Sequence, residues 1–117
     1  MSLIDPTQSA LEAAMRGSML RQSLLTNNLA NADTPGYQRQ DVNFQSTLDG
    51  AIASGQSPAS VTFAPYTQNQ VLSADGNGVS AEQESANLAK NGLLYENLTE
   101  VAAARERILK TAMGLGG

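Results

Sequence analysis

The residue types that perform most enzyme chemistry are scarce in this sequence. Cys and His are both absent from its 117 residues, which excludes thiol nucleophiles, Ser-His pairs, disulfides and the usual zinc ligands. The carboxylates Glu96, Glu100 and Glu106 fall on the polar face of a predicted helix, where such groups are usually solvated or paired. No glycine-rich phosphate loop precedes a helix. We therefore expect no enzyme activity, no catalytic residue and no cofactor.

The segment Asp-Gly-Asn-Gly at residues 75–78 could begin a calcium-binding loop. Such a loop needs further oxygen ligands at fixed positions, and Ser80 and Ala81 interrupt that pattern. The next carboxylates, Glu82 and Glu84, suit the positively polarised first turn of a helix. We therefore interpret the segment as a flexible turn that leads into a helix, and we predict no metal site.

Composition narrows the possible partners. Asp and Glu number 11 against 7 Lys and Arg, which gives a formal net charge of −4 and argues against nucleic acids and anionic membrane surfaces as partners. No apolar run approaches the roughly 18 residues of a membrane span, and the N-terminus lacks the features of a cleaved secretory signal. Aromatic residues make up only 4% of the chain, so we expect a small core that is completed against copies or partners.

The first third of the chain predicts a helix over about residues 5–32. Asp5 is a plausible N-cap, and Pro6 suits the first helical position, where a missing N–H has little effect. Leucines lie on both sides of this helix, Leu11 and Leu25 on one and Leu20 on the other, so the helix needs more than one neighbour.

The last third predicts the clearest helix, over about residues 80–113. It begins with a capping box of Ser80 and Gln83, and Gly114 follows its end. Two apolar rows repeat at heptad spacing, with Leu98 between them: Leu88, Tyr95, Ala102 and Leu109, and Leu94, Val101, Ile108 and Leu115. This pattern is typical of a coiled-coil-like seam, between helices or between subunits.

The middle of the chain, residues 38–79, is rich in Ser, Gln, Ala, Gly and Asn. A short helical turn over residues 42–48 and strand fragments at 61–63 and 71–72 are compatible with its apolar residues. We therefore predict an all-α fold in which long N- and C-terminal helices pair in a coiled-coil-like hairpin, with a polar, largely irregular middle segment. The corresponding division is into residues 1–37, 38–79 and 80–117.

Two local features stand out where the first helix ends. Pro35 and Gly36 suit the centre of a type II turn, which predicts a positive φ at Gly36. Asn28 and Asn31 lie beside the apolar stripe, where amides can fix helix register through buried hydrogen bonds.

The run Asn-Asn-Leu-Ala-Asn-Ala-Asp-Thr-Pro-Gly-Tyr at residues 27–37 resembles the N-terminal signature of the bacterial flagellar axial proteins of the rod and hook. The following Arg-Gln-Asp-Val-Asn-Phe at residues 39–44 is similar to the continuation in a proximal rod protein of that family. So is the segment at residues 84–97, read as Glu-x-x-x-Leu-Ala-Lys-Asn-Gly-Leu-Leu-Tyr-Glu-Asn with the three positions after Glu84 left open. The chain also has no room for the large inserted domains of the distal rod and hook proteins.

The resemblance implies a structural subunit whose paired terminal helices line the hollow flagellar axis, while the middle segment faces outward. It implies export through the flagellar type III apparatus without a cleaved signal, and a place in the periplasmic rod of the basal body. The implied partners are further copies of the chain, the neighbouring rod protein FlgC, the hook–basal body adaptor FliE and the export gate. No nucleic acid, small-molecule substrate or direct membrane span is expected.

The expected assembly residues come from the two matched regions. The N-terminal signature contributes Asn28, Leu29, Asn31, Asp33, Thr34, Pro35, Gly36 and Tyr37. The C-terminal helix contributes Leu88, Leu94, Tyr95, Leu98, Val101, Ile108 and Leu109.

Two alternative functions are compatible with the sequence. Heptads and a low aromatic content also suit a cytoplasmic coiled-coil adaptor or a chaperone-like binding module, although neither explains the Asn-rich run joined to Thr-Pro-Gly-Tyr. Within the axial family, the neighbouring rod protein FlgC is the alternative.

Overall fold

A computed structural model describes residues 5–68 and 79–114 of the chain. In these ranges the chain forms three helices, α1 (Pro6–Ala30), α2 (Phe44–Ala53) and α3 (Ala81–Ala112), and one 3₁₀ turn (Pro58–Ser60). Two short strands, β1 (Gln40–Asp41) and β2 (Tyr66–Thr67), pair antiparallel, with Gln40 opposite Thr67. The molecule is flat and elongated, 61 × 31 × 14 Å.

Helix α1 begins and turns at its end as the sequence predicts. The Asp5 carboxylate accepts a hydrogen bond of 2.7 Å from the Gln8 N–H, and Pro6 occupies the first turn. After Ala30 the chain turns at residues 34–37, where the Tyr37 N–H donates to the Thr34 carbonyl at 3.2 Å. Gly36 has a φ of +76°, so the expected positive φ is confirmed.

Helix α3 also starts at the predicted cap. The Ser80 hydroxyl accepts a 3.3 Å hydrogen bond from the Gln83 N–H, and the helix continues for 32 residues to Ala112. Gly114, with a φ of +71°, follows its end. Among the residues that the structure describes, no helix is both long enough and apolar enough to cross a membrane.

Helices α1 and α3 pack against each other in an antiparallel pair. Near the start of α1 the Gln8 side chain donates to the Ala102 carbonyl, and near the end of α1 Asn28 contacts Glu84. The all-α fold with paired terminal helices is therefore confirmed.

Part of the middle segment folds onto α1. The helical turn expected over residues 42–48 becomes the ten-residue helix α2, because the Asn43 side chain caps it and Phe44, Leu48 and Ala51 share one buried face. Ala13, Leu48, Ala51 and Val61 form one buried cluster.

Residues 61–63, which the sequence allowed as a strand fragment, do not form a strand. Val61 is buried in the cluster just named and Phe63 packs against that cluster, while strand pairing takes place at β1 and β2 instead. The Phe44 and Phe63 rings meet edge to face, with centroids 6.3 Å apart. The strand fragment expected at 71–72 lies outside the described residues.

Helix α2 comes close to α1 at Gly17. A Cβ placed at Gly17 would overlap the Cβ of Phe44, closer than two non-bonded carbon atoms can approach. Glycine at this position therefore allows the first turn of α2 to pack directly against the α1 backbone.

We expect Gly17→Ala to lower the free energy of unfolding by about 1–3 kcal/mol, because the added methyl group overpacks the contact with Phe44. Urea unfolding followed by circular dichroism measures this change. Gly50→Ala in α2 is the matched control, since its Cβ meets nothing within 4 Å. It should leave stability unchanged or raise it by up to about 1 kcal/mol. Equal effects of the two variants would contradict the close approach.

Candidate assembly interface

A cluster of four charged side chains joins α1, the β1 region and α3. We call Arg21, Arg39, Asp41 and Glu84 the charge cluster. Arg39 is nearly buried between two carboxylates, with its Nε 2.6 Å from Glu84 Oε1 and its Nη2 3.2 Å from Asp41 Oδ2. Its Nη1 also donates to the Gln68 side chain. Glu84 is only 1% exposed, so these partners replace the hydrogen bonds that water would otherwise make with its carboxylate.

Arg21, a residue of α1, forms an ion pair with Asp41 and so connects α1 to the cluster. Its Nε donates to Asp41 Oδ1 at 2.9 Å and its Nη2 to Asp41 Oδ2 at 3.3 Å, so the pair is bidentate. Two cations and two anions therefore balance formally. Because Arg21 comes from α1, Arg39 and Asp41 from the β1 region and Glu84 from α3, the cluster holds these elements in one arrangement.

Asn28 completes the cluster with neutral hydrogen bonds. Its Nδ2 donates to the Gln40 carbonyl at 2.8 Å and its Oδ1 accepts from the Gln40 N–H at 3.0 Å, so its side chain pairs with β1 as a strand would. Its Nδ2 also lies 3.4 Å from Glu84 Oε2. Asn28 is fully buried and touches both β1 and α3.

The other residues of the N-terminal signature form the end of α1 and the turn after it. Asn31 donates to the Asn27 carbonyl and accepts from the Thr34 hydroxyl, so it closes the helix end. Leu29 and Tyr37 are half-buried. Asp33, Thr34, Pro35 and Gly36 are exposed. Asn28 and Leu29 lie in α1, and the other expected signature residues lie in the turn that follows α1.

The surroundings of Arg39 and Asp41 favour their charged forms. Burial acts to lower the pKa of Arg39, but hydrogen bonds and charges from Glu84 and Asp41 raise it above its ordinary value. Burial likewise acts to raise the pKa of Asp41. Hydrogen bonds from Arg21 and the Val42 N–H, with the charge of Arg21, hold that pKa below its ordinary value.

The two apolar rows of α3 have different environments. The first row is half-buried at Leu88, Tyr95 and Leu109 and buried at Ala102. Leu98, which lies between the two rows, is also half-buried. In the second row Leu94 is half-buried, whereas Val101 is 49% and Ile108 66% exposed. Leu93, at 59%, lies on the same outer side. We call Leu93, Val101 and Ile108 the exposed apolar face.

The charge cluster was not predicted from the sequence. Glu84 was interpreted as a favourable charge in the first turn of α3 and as the start of the matched segment 84–97, not as an ion-pair partner, and Arg21 carried no distinguishing signal. One signal was available: Arg39 and Asp41 are two residues apart, so an extended chain places both side chains on one side of the strand. Residues 75–78, considered for calcium, lie outside the described residues. In the ranges 5–68 and 79–114 no three acidic side chains are grouped to hold a metal ion.

We expect Glu84→Gln to lower the free energy of unfolding by about 3–5 kcal/mol, because the variant leaves the buried guanidinium of Arg39 short of one carboxylate. Urea unfolding at neutral pH measures the loss. Glu82→Gln is the matched control, since Glu82 lies in the same first turn but is exposed. If both variants lost the same small amount, the buried ion pair would have no special role.

Stability should also fall in acid. The pKa of Asp41 in the folded chain lies below its value in the unfolded chain, about 3.9. The stabilisation from Asp41 is therefore fully present above about pH 4 and is lost as the pH falls through the lower pKa of the folded state. Urea midpoints measured from about pH 5 to about pH 2.5 should decrease, and less steeply in Asp41→Asn. Identical slopes would contradict this origin of the acid sensitivity.

Comparison with known proteins identifies the family. A family model described as "Flagella basal body rod protein" matches residues 8–38, which span most of α1 and the signature turn. Flagellar basal body rod protein FlgB of Bacillus subtilis is 32% identical, and the match covers 97% of both chains. FlgB of Escherichia coli is 31% identical over 80% of this chain and 85% of its own. FlgB of Salmonella typhimurium is 29% identical over 96% of this chain and 99% of its own.

These matches leave the alternatives unsupported. The relatives are named as rod proteins, which does not favour a cytoplasmic adaptor or chaperone-like module, and they are named FlgB, not FlgC. The relative from Bacillus subtilis matches nearly the whole chain, so the signature, the charge cluster and both long helices lie within one match. The chain belongs to the family of flagellar basal body rod proteins FlgB, structural subunits of the bacterial flagellar rod.

Proposed function

We propose that the chain builds the proximal part of the hollow rod by packing its α1–α3 helix pair against the helix pairs of neighbouring subunits. The observation that carries this proposal is the exposed apolar face, Leu93, Val101 and Ile108. At 100° per residue these three positions lie within an arc of about 80° on α3. Large apolar side chains that share one side of a helix mark a surface that another protein covers.

The position of this face favours an open assembly. It lies on α3, on the side away from α1, and contacts a different surface of the next subunit if the copies are stacked head to tail. Contacts between unlike surfaces that do not close into a ring generate a helical tube. This arrangement requires no ligand and no catalytic group, in keeping with a purely structural subunit that has no enzyme activity.

The modest core suits a subunit that is exported before it assembles. Three of the buried apolar residues are alanines with little area to bury; among the described residues the buried apolar set is Ala13, Leu24, Leu25, Val42, Phe44, Leu48, Ala51, Val61, Val79 and Ala102. A chain with a small core costs little to unfold, and neighbours can supply the missing burial after export. We propose that the chain leaves the cytoplasm through the flagellar type III apparatus without a cleaved signal and ends in the periplasmic rod.

The proposed partners follow from a place at the base of the rod. Other copies of the chain would cover the exposed apolar face, the neighbouring rod protein FlgC would continue the tube, and the adaptor FliE and the export gate would lie beneath it. The exposed signature turn, which includes Asp33, Thr34 and Pro35, is a second surface available to these partners.

The proposal is tested by mass spectrometry of purified hook–basal bodies, with the soluble cytoplasm of the same cells as the control. Specific enrichment of this chain in the basal body is the expected result. A chain found only in the cytoplasm would overturn the proposal.

We expect Val101→Asp to reduce incorporation into basal bodies by about tenfold or more, because assembly would bury an unpaired carboxylate. Quantitative immunoblots of purified basal bodies and swimming assays measure the effect. Glu100→Ala is the matched control, since Glu100 is the preceding residue and is also exposed, and it should be tolerated. Because Val101 is 49% exposed, its replacement should leave the circular dichroism of the purified chain nearly unchanged. Equal incorporation of the two variants would contradict the assignment of the face.

A further inference from the structure

A second buried polar group lies between α1 and α3, away from the charge cluster. Asn91 of α3 is 1% exposed and meets Ser18 and Gln22 of α1, and we call these three residues the amide layer. The Asn91 Nδ2 donates to the Ser18 carbonyl and to Gln22 Oε1, both at 2.8 Å, and its Oδ1 accepts from the Ser18 hydroxyl at 3.3 Å. Every polar atom of the Asn91 side chain therefore has a partner on α1.

The residues of α3 that make these polar contacts share one line along the helix. At 100° per residue, Asn91 lies about 20° from Glu84, and Ala102, whose carbonyl accepts from Gln8, lies at about the same angle as Glu84. Val101 and Ile108 lie about 100–120° away from that line. The side of α3 that faces α1 thus carries these polar contacts beside the first apolar row, while Val101 and Ile108 lie on a different, exposed side.

Apolar burial alone does not explain this orientation. The first row of α3 contains Leu88, Tyr95, Ala102 and Leu109, and the second contains Leu94, Val101 and Ile108, so the two rows offer similar apolar side chains. A rotation of α3 by about 100° would bury the second row against α1 within the same chain. The hydrophobic effect is not directional and does not choose between these arrangements.

We infer that the amide layer, together with the charge cluster, sets the rotation of α3 and keeps the exposed apolar face turned outward. In the rotated arrangement the Asn91 amide and the Glu84 carboxylate would leave their partners on α1 and β1. Arg39 would then stay buried without Glu84, and the hydrogen bonds between Asn91 and Ser18 would be lost, so that arrangement is disfavoured. The amide layer therefore acts as a specificity device, as a single buried Asn does in some coiled coils.

This inference deepens the proposed function, because the face that the amide layer keeps exposed is the one proposed to bind neighbouring subunits. The rotation itself is a property of the single chain, so it can be measured without assembly. Failure of the proposed function would leave that measurement intact.

Asn91→Leu removes the hydrogen bonds of the amide layer and leaves no buried polar group without a partner in the native arrangement. Gln22 is half-buried and can turn to solvent, and the Ser18 hydroxyl can donate to a carbonyl of its own helix one turn earlier. Glu84 remains in place and holds the first turn of α3, so the expected rotation is partial.

The test uses single cysteines, which report cleanly because the natural chain has none. Val101→Cys reports the outer side of α3, and Tyr95→Cys, in the half-buried first row, reports the inner side. Maleimide labelling rates of both are measured in the natural background and in Asn91→Leu. We expect the rate ratio of position 101 to position 95 to fall about threefold or more, with slower labelling at the outer position and faster labelling at the inner one.

Glu96→Leu is the control, since it adds a leucine to α3 at an exposed position outside both apolar rows, and it should leave the ratio unchanged. An unchanged ratio in Asn91→Leu would overturn the inference. Faster labelling at both positions would also overturn it, because the amide layer would then be a plain stability contact whose loss unfolds the chain.

Discussion

The arrangement of this chain depends on the burial of one guanidinium group, that of Arg39. A buried arginine needs carboxylates close by, and Glu84 of α3 and Asp41 of β1 provide them. Arg21 of α1 then balances the second carboxylate. A buried charge without an opposite charge beside it is very unfavourable. The three elements α1, β1 and α3 therefore pack together in the one arrangement that pairs all four charges. We therefore expect the cluster to contribute more to the uniqueness of the fold than to its net stability.

The polar and apolar contacts of the helix pair are distributed in an unusual way. The fully buried side chains of α1 and α3 include the polar residues Ser18, Asn28, Glu84 and Asn91 besides the apolar Ala13 and Leu25, whereas Val101 and Ile108 are exposed to solvent. In a self-contained helical hairpin the apolar residues would be expected inside. Here the directional hydrogen bonds define the subunit, and the apolar surface remains available for contacts with other subunits. That division suits a protein of the flagellar rod, whose subunits assemble with other rod components.

Prediction from sequence worked best where local chemistry decides the structure. Both helix starts were predicted from their caps at Asp5 and Ser80, because a capping side chain binds N–H groups only two or three residues away. The turn at Gly36 was predicted from the conformational limits of Pro and Gly alone. Helix α2 was underestimated and the strand at 61–63 was wrong, because both depend on packing against Ala13 of α1, which is remote in the sequence.

The sequence by itself determined the two long helices, their ends, the signature turn and the family, since each rests on residues that are close along the chain. Only the tertiary structure decided that Arg39 meets Glu84 across 45 positions and that Asn91 meets Ser18 across 73. It also decided which apolar row of α3 faces α1, because the heptad pattern offers two rows of similar composition. Hydrophobic periodicity does not select which of two similar apolar rows is buried, because the hydrophobic effect is not directional. Hydrogen bonds between residues that are distant in the sequence do select one row, because they require particular partners.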